Sequence, residues 1–530
     1  MKSTLPGTRI VLLICLVLLV TCTTPSDKGK RTGFPAPWLE EITISQLQQD
    51  YAQGKYTIEK VISNYLDRIE AIDKQGPGLN SIIIVNPDAL SIARELDEEM
   101  AAGKIRGPMH GIPVIIKDNI DTHDKMPNTA GSRALLNSYP PADSWIVKKL
   151  REAGAVILAK ANLSEWANFR ASNSSSGWSG IGGQTKNPYV LDRNPCGSSS
   201  GSGASVSANL CMVAIGTETN GSILCPSNNN GIVGLKPTVG LLSRSGIIPI
   251  SFTQDTPGPM GRTVSDVAIC LGALTGVDSL DSKTLLSAGR SYTDYTHFLR
   301  PDGLKGKRIG LLKDRLGSSP RIDTLIRQAV RHIESKGGEV VEVEFPRGGW
   351  SNASYQVLLY EFKDGINKYL GSLGDNAPVK DLGELIEFNR NDNIELRYFD
   401  QAVFEAAQAM GDLDSEEYRN ALKTMHEATR ENGIDRIMDE NRLDAIMAPT
   451  GGPAWKTDLI LGDRSSGGSS SYAAISGYPN ITVPAGYIEG LPVGVSFFGR
   501  AWSEPVLLEI AYSYEQVSRN RKAPEFHATD

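Results

Sequence analysis

The chain has 530 residues, 40% of them hydrophobic and 22% charged, with 53 Gly, 29 Pro and a formal net charge of −7. This composition permits a large core and excludes a disordered or collagen-like chain, while the many Gly and Pro point to frequent turns. An acidic balance without a basic cluster excludes a broad phosphate-binding surface, so nucleic acid is not an expected partner.

Lys2 and Arg9 precede the apolar run Ile10 to Val20, and a polar stretch containing Pro and Gly follows. A charged start followed by a short apolar run reads as an export signal, and the run falls short of the roughly 20 apolar residues that span a bilayer. Leu19-Val20-Thr21-Cys22 resembles a bacterial lipobox, in which the Cys is lipidated. The expectation is a signal peptide of lipoprotein type over residues 1–21 and a tether over 22–40. Cys22 would then hold the protein to a membrane, in the periplasm or anchored at its edge. Of the six cysteines, Cys196, Cys211, Cys225 and Cys270 lie beyond this segment and allow three pairings. A core of this size needs no disulfide staples, so these are expected to be mostly free and buried.

Ser45-x-x-Gln48 reads as a capping box, and Leu47, Tyr51, Ile58, Val61, Ile62, Tyr65, Leu66 and Ile69 recur at helical spacing, giving two helices joined at Gly54. A short strand over 80–86, an amphipathic helix over 88–102, the β-branched run Gly111 to Asp121, a helix near 145–153 and a strand over 155–160 continue an α/β alternation. Residues 172–195 are rich in Ser, Gly, Asn and Pro and read as loop. A short helix beyond Ser200, an apolar strand over 210–215 and another Gly-dense segment follow. Residues 307–345 form a βαβ unit, and helices dominate from 355 to 441. The C-terminal part supplies strands at 444–449 and near 480–487, and a last helix after Pro505. The expected fold class is α/β: a single large domain with a mixed central β-sheet covered by helices on both faces. It would span 41–525, with an N-terminal helical segment over 41–75 and a helical insertion at about 355–440.

Gly197-Ser198-Ser199-Ser200-Gly201 fits G-x-S-x-G, the pattern of a nucleophile elbow, which requires a strand to run directly into the central serine. Pro188 and Pro195 flank the preceding segment, so no central strand enters there. His297, His332, His426 and His527 follow in the chain and read as surface or packing residues. A second serine, Ser222, has better surroundings: an apolar strand ends in a Gly-containing turn beside it. Successive backbone N–H groups of Thr219, Asn220 and Gly221 can form a concavity for an oxyanion. With the histidines poorly placed, the candidate base is a lysine in an apolar strand, and Lys117 after Val114, Ile115 and Ile116 stands out. Burial there favours the neutral amine that a base requires.

GIPVIIKDNID, PCGSSSGSGASVSA, GTETNGSI, GIVGLKPTVGLLSRSGIIPIS and DTPGPMGRTVSDVA, taken in this order, resemble the amidase signature family over nearly the whole chain from about Ser45. The resemblance implies an amide-hydrolysing enzyme that uses neither metal nor organic cofactor. It implies Ser222 as nucleophile, Ser198 as a relay serine held in a cis peptide after Gly197, Lys117 as base and Ser199 in support. The N–H groups from Thr219 to Ser222 would hold the oxyanion. Asn220-Gly221-Ser222 and Cys196-Gly197-Ser198 depart from the family's usual Gly-Gly-Ser at both places, and the N–H of Asn220 survives the change. These departures, with LSEWANFR and SSGWSGIGGQTKNP, resemble the peptide amidase branch, which hydrolyses C-terminal carboxamides of peptides. The implied substrate is therefore a small-molecule or peptide amide, with no obligate protein partner. A glutaminase of the amidotransferase A type shares the motifs and is one alternative. A tethered binding protein that has lost the reaction is the other.

Overall fold

The computed structural model describes Met1, Ser3 and residues 33–346, 348–374, 377–465 and 467–529. The expected signal peptide, with Cys15, Cys22 and most of the tether, lies outside the described residues. Eleven strands form one mixed sheet. From one edge to the other they are Ile82–Val85, Val156–Ala161, Pro113–Lys117, Val213–Glu218, Thr256–Gly261, Val233–Lys236, Asn480–Ile488, Leu491–Phe498, Ala445–Pro449, Arg308–Leu312 and Glu339–Val343. Two groups of three are parallel, 156–161/113–117/213–218 and 445–449/308–312/339–343. The other pairs are antiparallel, so the α/β domain is mixed as expected.

Both parallel groups follow from sequence. Pro113–Lys117 and Val156–Ala161 are buried at every position, which their unbroken apolar runs require of strands covered on both faces. The predicted βαβ appears as Arg308–Leu312, helix Pro320–Ser335 and Glu339–Val343. Its helix has Pro in the first turn, where the missing N–H costs no helical bond.

Several expectations are corrected. Thr43, not Ser45, caps the first helix, Ile44–Ala52, its hydroxyl accepting from Gln46 N at 3.2 Å. The strand expected over 210–215 runs from Val213 to Glu218, which places Thr217 and Glu218 at the end of an interior strand, beside the site. Strands Val233–Lys236, Thr256–Gly261 and Leu491–Phe498 and helix Val264–Leu274 lie where sequence periodicity indicated none. The 172–195 loop holds a small hairpin, Trp178–Ser179 with Gly183–Gln184. The helical insertion begins at Trp350, and Phe362, Leu385 and Phe404 on its apolar faces share one cluster with Leu135, Trp166, Phe169, Ile248 and Ile250 of the main body.

The first and last parts of the folded body are fastened together. Arg521 pairs with the Glu41 carboxylate at 2.8 and 3.1 Å and donates to Ser207 O at 2.8 Å, and the Phe34 and Phe526 rings meet edge to face.

Candidate active site

Lys117 ends its strand fully buried, and its Nζ donates to Ser198 Oγ at 2.7 Å and Thr217 Oγ1 at 2.9 Å. Burial pushes its pKa down to about 7, against the upward pull of the Asp255 and Glu218 carboxylates. The amine therefore reaches its neutral form near neutral pH, in contact with a hydroxyl that can pass it a proton.

Ser198 follows a cis peptide bond after Gly197. Its carbonyl accepts from Ser164 N at 3.0 Å, which fixes the turn. Ser199, the centre of the elbow pattern, is buried and makes no described hydrogen bond to the Lys117 amine, although both donate to Thr217 O. Its hydroxyl donates to Thr217 O at 3.1 Å and accepts from Thr217 N at 3.2 Å, while its N–H donates to Ser222 O at 3.1 Å. It thus ties three segments together. Helix Ser200–Ser207 does leave this turn, but what enters it is a turn held by Asn194, whose side chain accepts from Cys196 N at 2.8 Å. The elbow requirement fails at its entering strand.

Ser222 is half-buried and lines an open cleft together with Ser198, Asn220 and Gly221. Gly221 has φ +83°, and a Cβ there would lie 3.0 Å from Ser470 Oγ, so the turn before Ser222 accepts only Gly without strain. The N–H groups of Asn220, Gly221 and Ser222 enter none of the described backbone hydrogen bonds. Thr219 is placed by its hydroxyl, which donates to Asp255 Oδ1 at 2.6 Å. Asn220 is exposed, and its side-chain oxygen accepts from Ser470 Oγ at 2.9 Å, which joins the turn to the start of helix Ser470–Ser476. None of the six histidines is among the residues described as lining the cleft.

Three features escaped sequence reasoning. Thr217 holds Lys117 from the neighbouring strand and is itself held by Asn119 Nδ2 at 3.0 Å. The Glu218 carboxylate accepts from Ile223 N at 2.7 Å and Leu224 N at 3.0 Å, anchoring the chain just after Ser222. Glu218 was visible as the acidic residue inside GTETNGSI, five positions before the first N–H it receives. Third, Cys196 and Cys225 form a disulfide, while Cys211 and Cys270 are free and buried. This corrects half of the cysteine expectation: the bridge closes across the two serine-bearing turns, two residues before Ser198 and three after Ser222. A pairing over 29 residues has no local pattern, and the one signal for it was the place of each cysteine close to a candidate serine.

The family model described as Amidase matches residues 60–508. The native peptide amidase structure from Stenotrophomonas maltophilia is 48% identical, covers 93% of this chain and 100% of that one, and superposes with a TM-score of 0.88. A probable amidase of Arabidopsis thaliana is 43% identical over 92% of each chain. The A-type component of the glutamyl-tRNA(Gln) amidotransferase of Gloeothece citriformis is 32% identical over 91% of this chain and 99% of its own. The match to the family model, these similarities and the shared fold make the chain an amide-hydrolysing enzyme, a member of the amidase signature family.

Proposed function

We propose that this amidase removes C-terminal carboxamides from peptides, with Ser222 as nucleophile, Ser198 as proton relay and Lys117 as base. The observation that carries the catalytic assignment is the 2.7 Å contact between a fully buried lysine amine and Ser198 Oγ, beside the cleft that Ser222 shares. Ser222 Oγ attacks the amide carbonyl carbon and gives its proton to Ser198 Oγ, whose own proton passes to the neutral Lys117 Nζ. The oxyanion rests on the N–H groups from Thr219 to Ser222, donors fixed before charge develops. As the tetrahedral intermediate collapses, the C–N bond breaks and the proton returns through Ser198 to the departing nitrogen. Water then attacks the ester of Ser222 while the same relay takes its proton, and as the acyl C–Oγ bond breaks that proton returns through Ser198 to Ser222 Oγ, releasing the acid.

The peptide substrate is supported by the 48% identity to a peptide amidase over nearly the full chain, against 32% to the amidotransferase component. The export reading of residues 1–40 gains support from the Cys196–Cys225 bridge, because disulfides persist mainly in oxidising compartments. Ammonia release from amidated peptides, set against aliphatic and aryl amides, tests the substrate. The peptides are expected to have the higher kcat/KM, and a preference for simple amides overturns the peptide reading. Ser222→Ala should abolish turnover and Lys117→Ala should cut it by about 10²–10⁴-fold, and wild-type rates in both overturn the mechanism. N-terminal sequencing of the native protein, expected to begin at a modified Cys22, tests export.

A further inference from the structure

The cleft that holds Ser198 and Ser222 is walled by hydroxyls, carboxamides, glycines and Trp455, and Asp463 alone among its described lining residues carries an ionisable acid or base. Asp463 sits in the loop between strand Ala445–Pro449 and helix Ser470–Ser476, some 240 residues beyond the proposed nucleophile, where no sequence pattern marks a binding residue. Its carboxylate accepts from Ser176 N at 3.0 and 3.1 Å, Ser176 Oγ at 2.5 Å, Asn194 Nδ2 at 3.3 Å and Trp455 Nε1 at 3.1 Å. All four donors are neutral, and no described salt bridge reaches the carboxylate. Burial pushes its pKa up from the usual carboxylate value, against the pull of the Ser176 and Trp455 donors. The next residue, Arg464, is exposed and acts on Asp458 instead. With neutral donors around it, the carboxylate is held in place and oriented, and its charge when ionised is not cancelled. Asn194 also ties it to the relay turn, since the same side chain accepts from Cys196 N.

We propose that Asp463 sets the charge preference of the cleft, favouring amides whose acyl portion is cationic and disfavouring those whose acyl portion is anionic. The inference rests on the assignment of Ser222 and deepens it. A charge fixed on a partly buried wall acts over several ångströms, enough to separate oppositely charged ligands on the order of tenfold at low salt. It also opposes rebinding of the hydrolysis product, a carboxylate that bears one negative charge more than the amide it came from.

The experiment compares kcat/KM for matched peptide amides that differ only in Lys, Gln or Glu within the acyl portion, in wild type and Asp463→Asn, at low and high salt. The Lys-to-Glu ratio should be on the order of tenfold in wild type at low salt and fall toward one at high salt and in the variant. A wild-type ratio near one overturns the proposal. So does a variant that loses all three activities equally and keeps the ratio, which is what a purely structural role gives. If Asp463→Asn does not fold, the wild-type ratio and its salt dependence decide. Ser222→Ala keeps the two readings apart: turnover in that variant sinks the catalytic assignment, whereas its loss alongside a flat charge series sinks Asp463 alone.

Discussion

Two buried lysines stand on neighbouring strands, Lys117 and Lys160, and their surroundings differ in kind. The parallel pairing sets Ile116 opposite Lys160 and Lys117 opposite Ala161, so the one-residue offset sends the two amines to opposite faces of the sheet. On one face Lys117 meets the hydroxyls of Ser198 and Thr217. On the other, Lys160 donates to Ile120 O at 2.5 Å and Asn128 Oδ1 at 3.3 Å and faces the carboxylates of Asp118 and Asp121. Asp121 is tied in turn to Asn128 at 2.5 Å and to Tyr369 of the helical insertion at 2.8 Å. Burial lowers both lysine pKa values, opposed at Lys117 by Asp255 and Glu218 and at Lys160 by four aspartates, Asp118, Asp121, Asp124 and Asp143. Equal burial thus leaves one amine against hydroxyls, the setting the proposed base requires, and the other among acids that favour its charged form.

The comparison breaks first at Lys117. Lys117→Met should cut kcat/KM by about 10²–10⁴-fold, the usual worth of a general base, while thermal unfolding stays at or above the wild-type temperature because a buried amine has been removed. Second, kcat/KM should rise about tenfold per pH unit up to a pKa of about 7 and then level, since the base works only when neutral. The sign for stability is parallel: between about 7 and the unfolded value of 10.5 the unfolded chain holds a proton that the native lysine has lost, so this group's contribution to stability rises with pH across that window. Third, Cys196→Ser with Cys225→Ser should lower stability by roughly 3 kcal/mol and activity by a few-fold, measured by denaturant unfolding and turnover, because the serine-bearing turns lose their covalent link. The smallest effect on chemistry is expected from Lys160→Met, which should leave the pH midpoint of kcat/KM in place. It should still cost about 3–5 kcal/mol of stability by stranding Asp118 and Asp121. A shifted midpoint in that variant would mean that the two faces are not separate.

The strands that carry Lys117 and Lys160 were legible because both are continuous apolar runs. Thr256–Gly261 was not, since TPGPMG has two prolines and two glycines and reads as turn. The structure accommodates it because the strand pairs along its length with Val213–Glu218, while Val233–Lys236 pairs with it only at Met260 and Gly261. Gly258 is required by contact, because a Cβ there would collide with Leu235 O. At the site, Lys117 and Ser222 were announced by their local stretches, whereas Ser198 came only through the family resemblance of PCGSSSGSGASVSA, since the local pattern there pointed to Ser199. Thr217, the Cys196–Cys225 bridge and Asp463 act through contacts made across the fold, and no local pattern encodes those.

The clasp of Arg521 on Glu41, with Phe34 against Phe526, leaves the two ends of the folded body side by side. Neighbouring ends are the condition under which a chain can be rejoined head to tail and reopened elsewhere. A circular permutant with a short linker from the region of residue 527 back to residue 34, cut in the exposed turn at Gly289, should keep the eleven-stranded sheet and the cleft together.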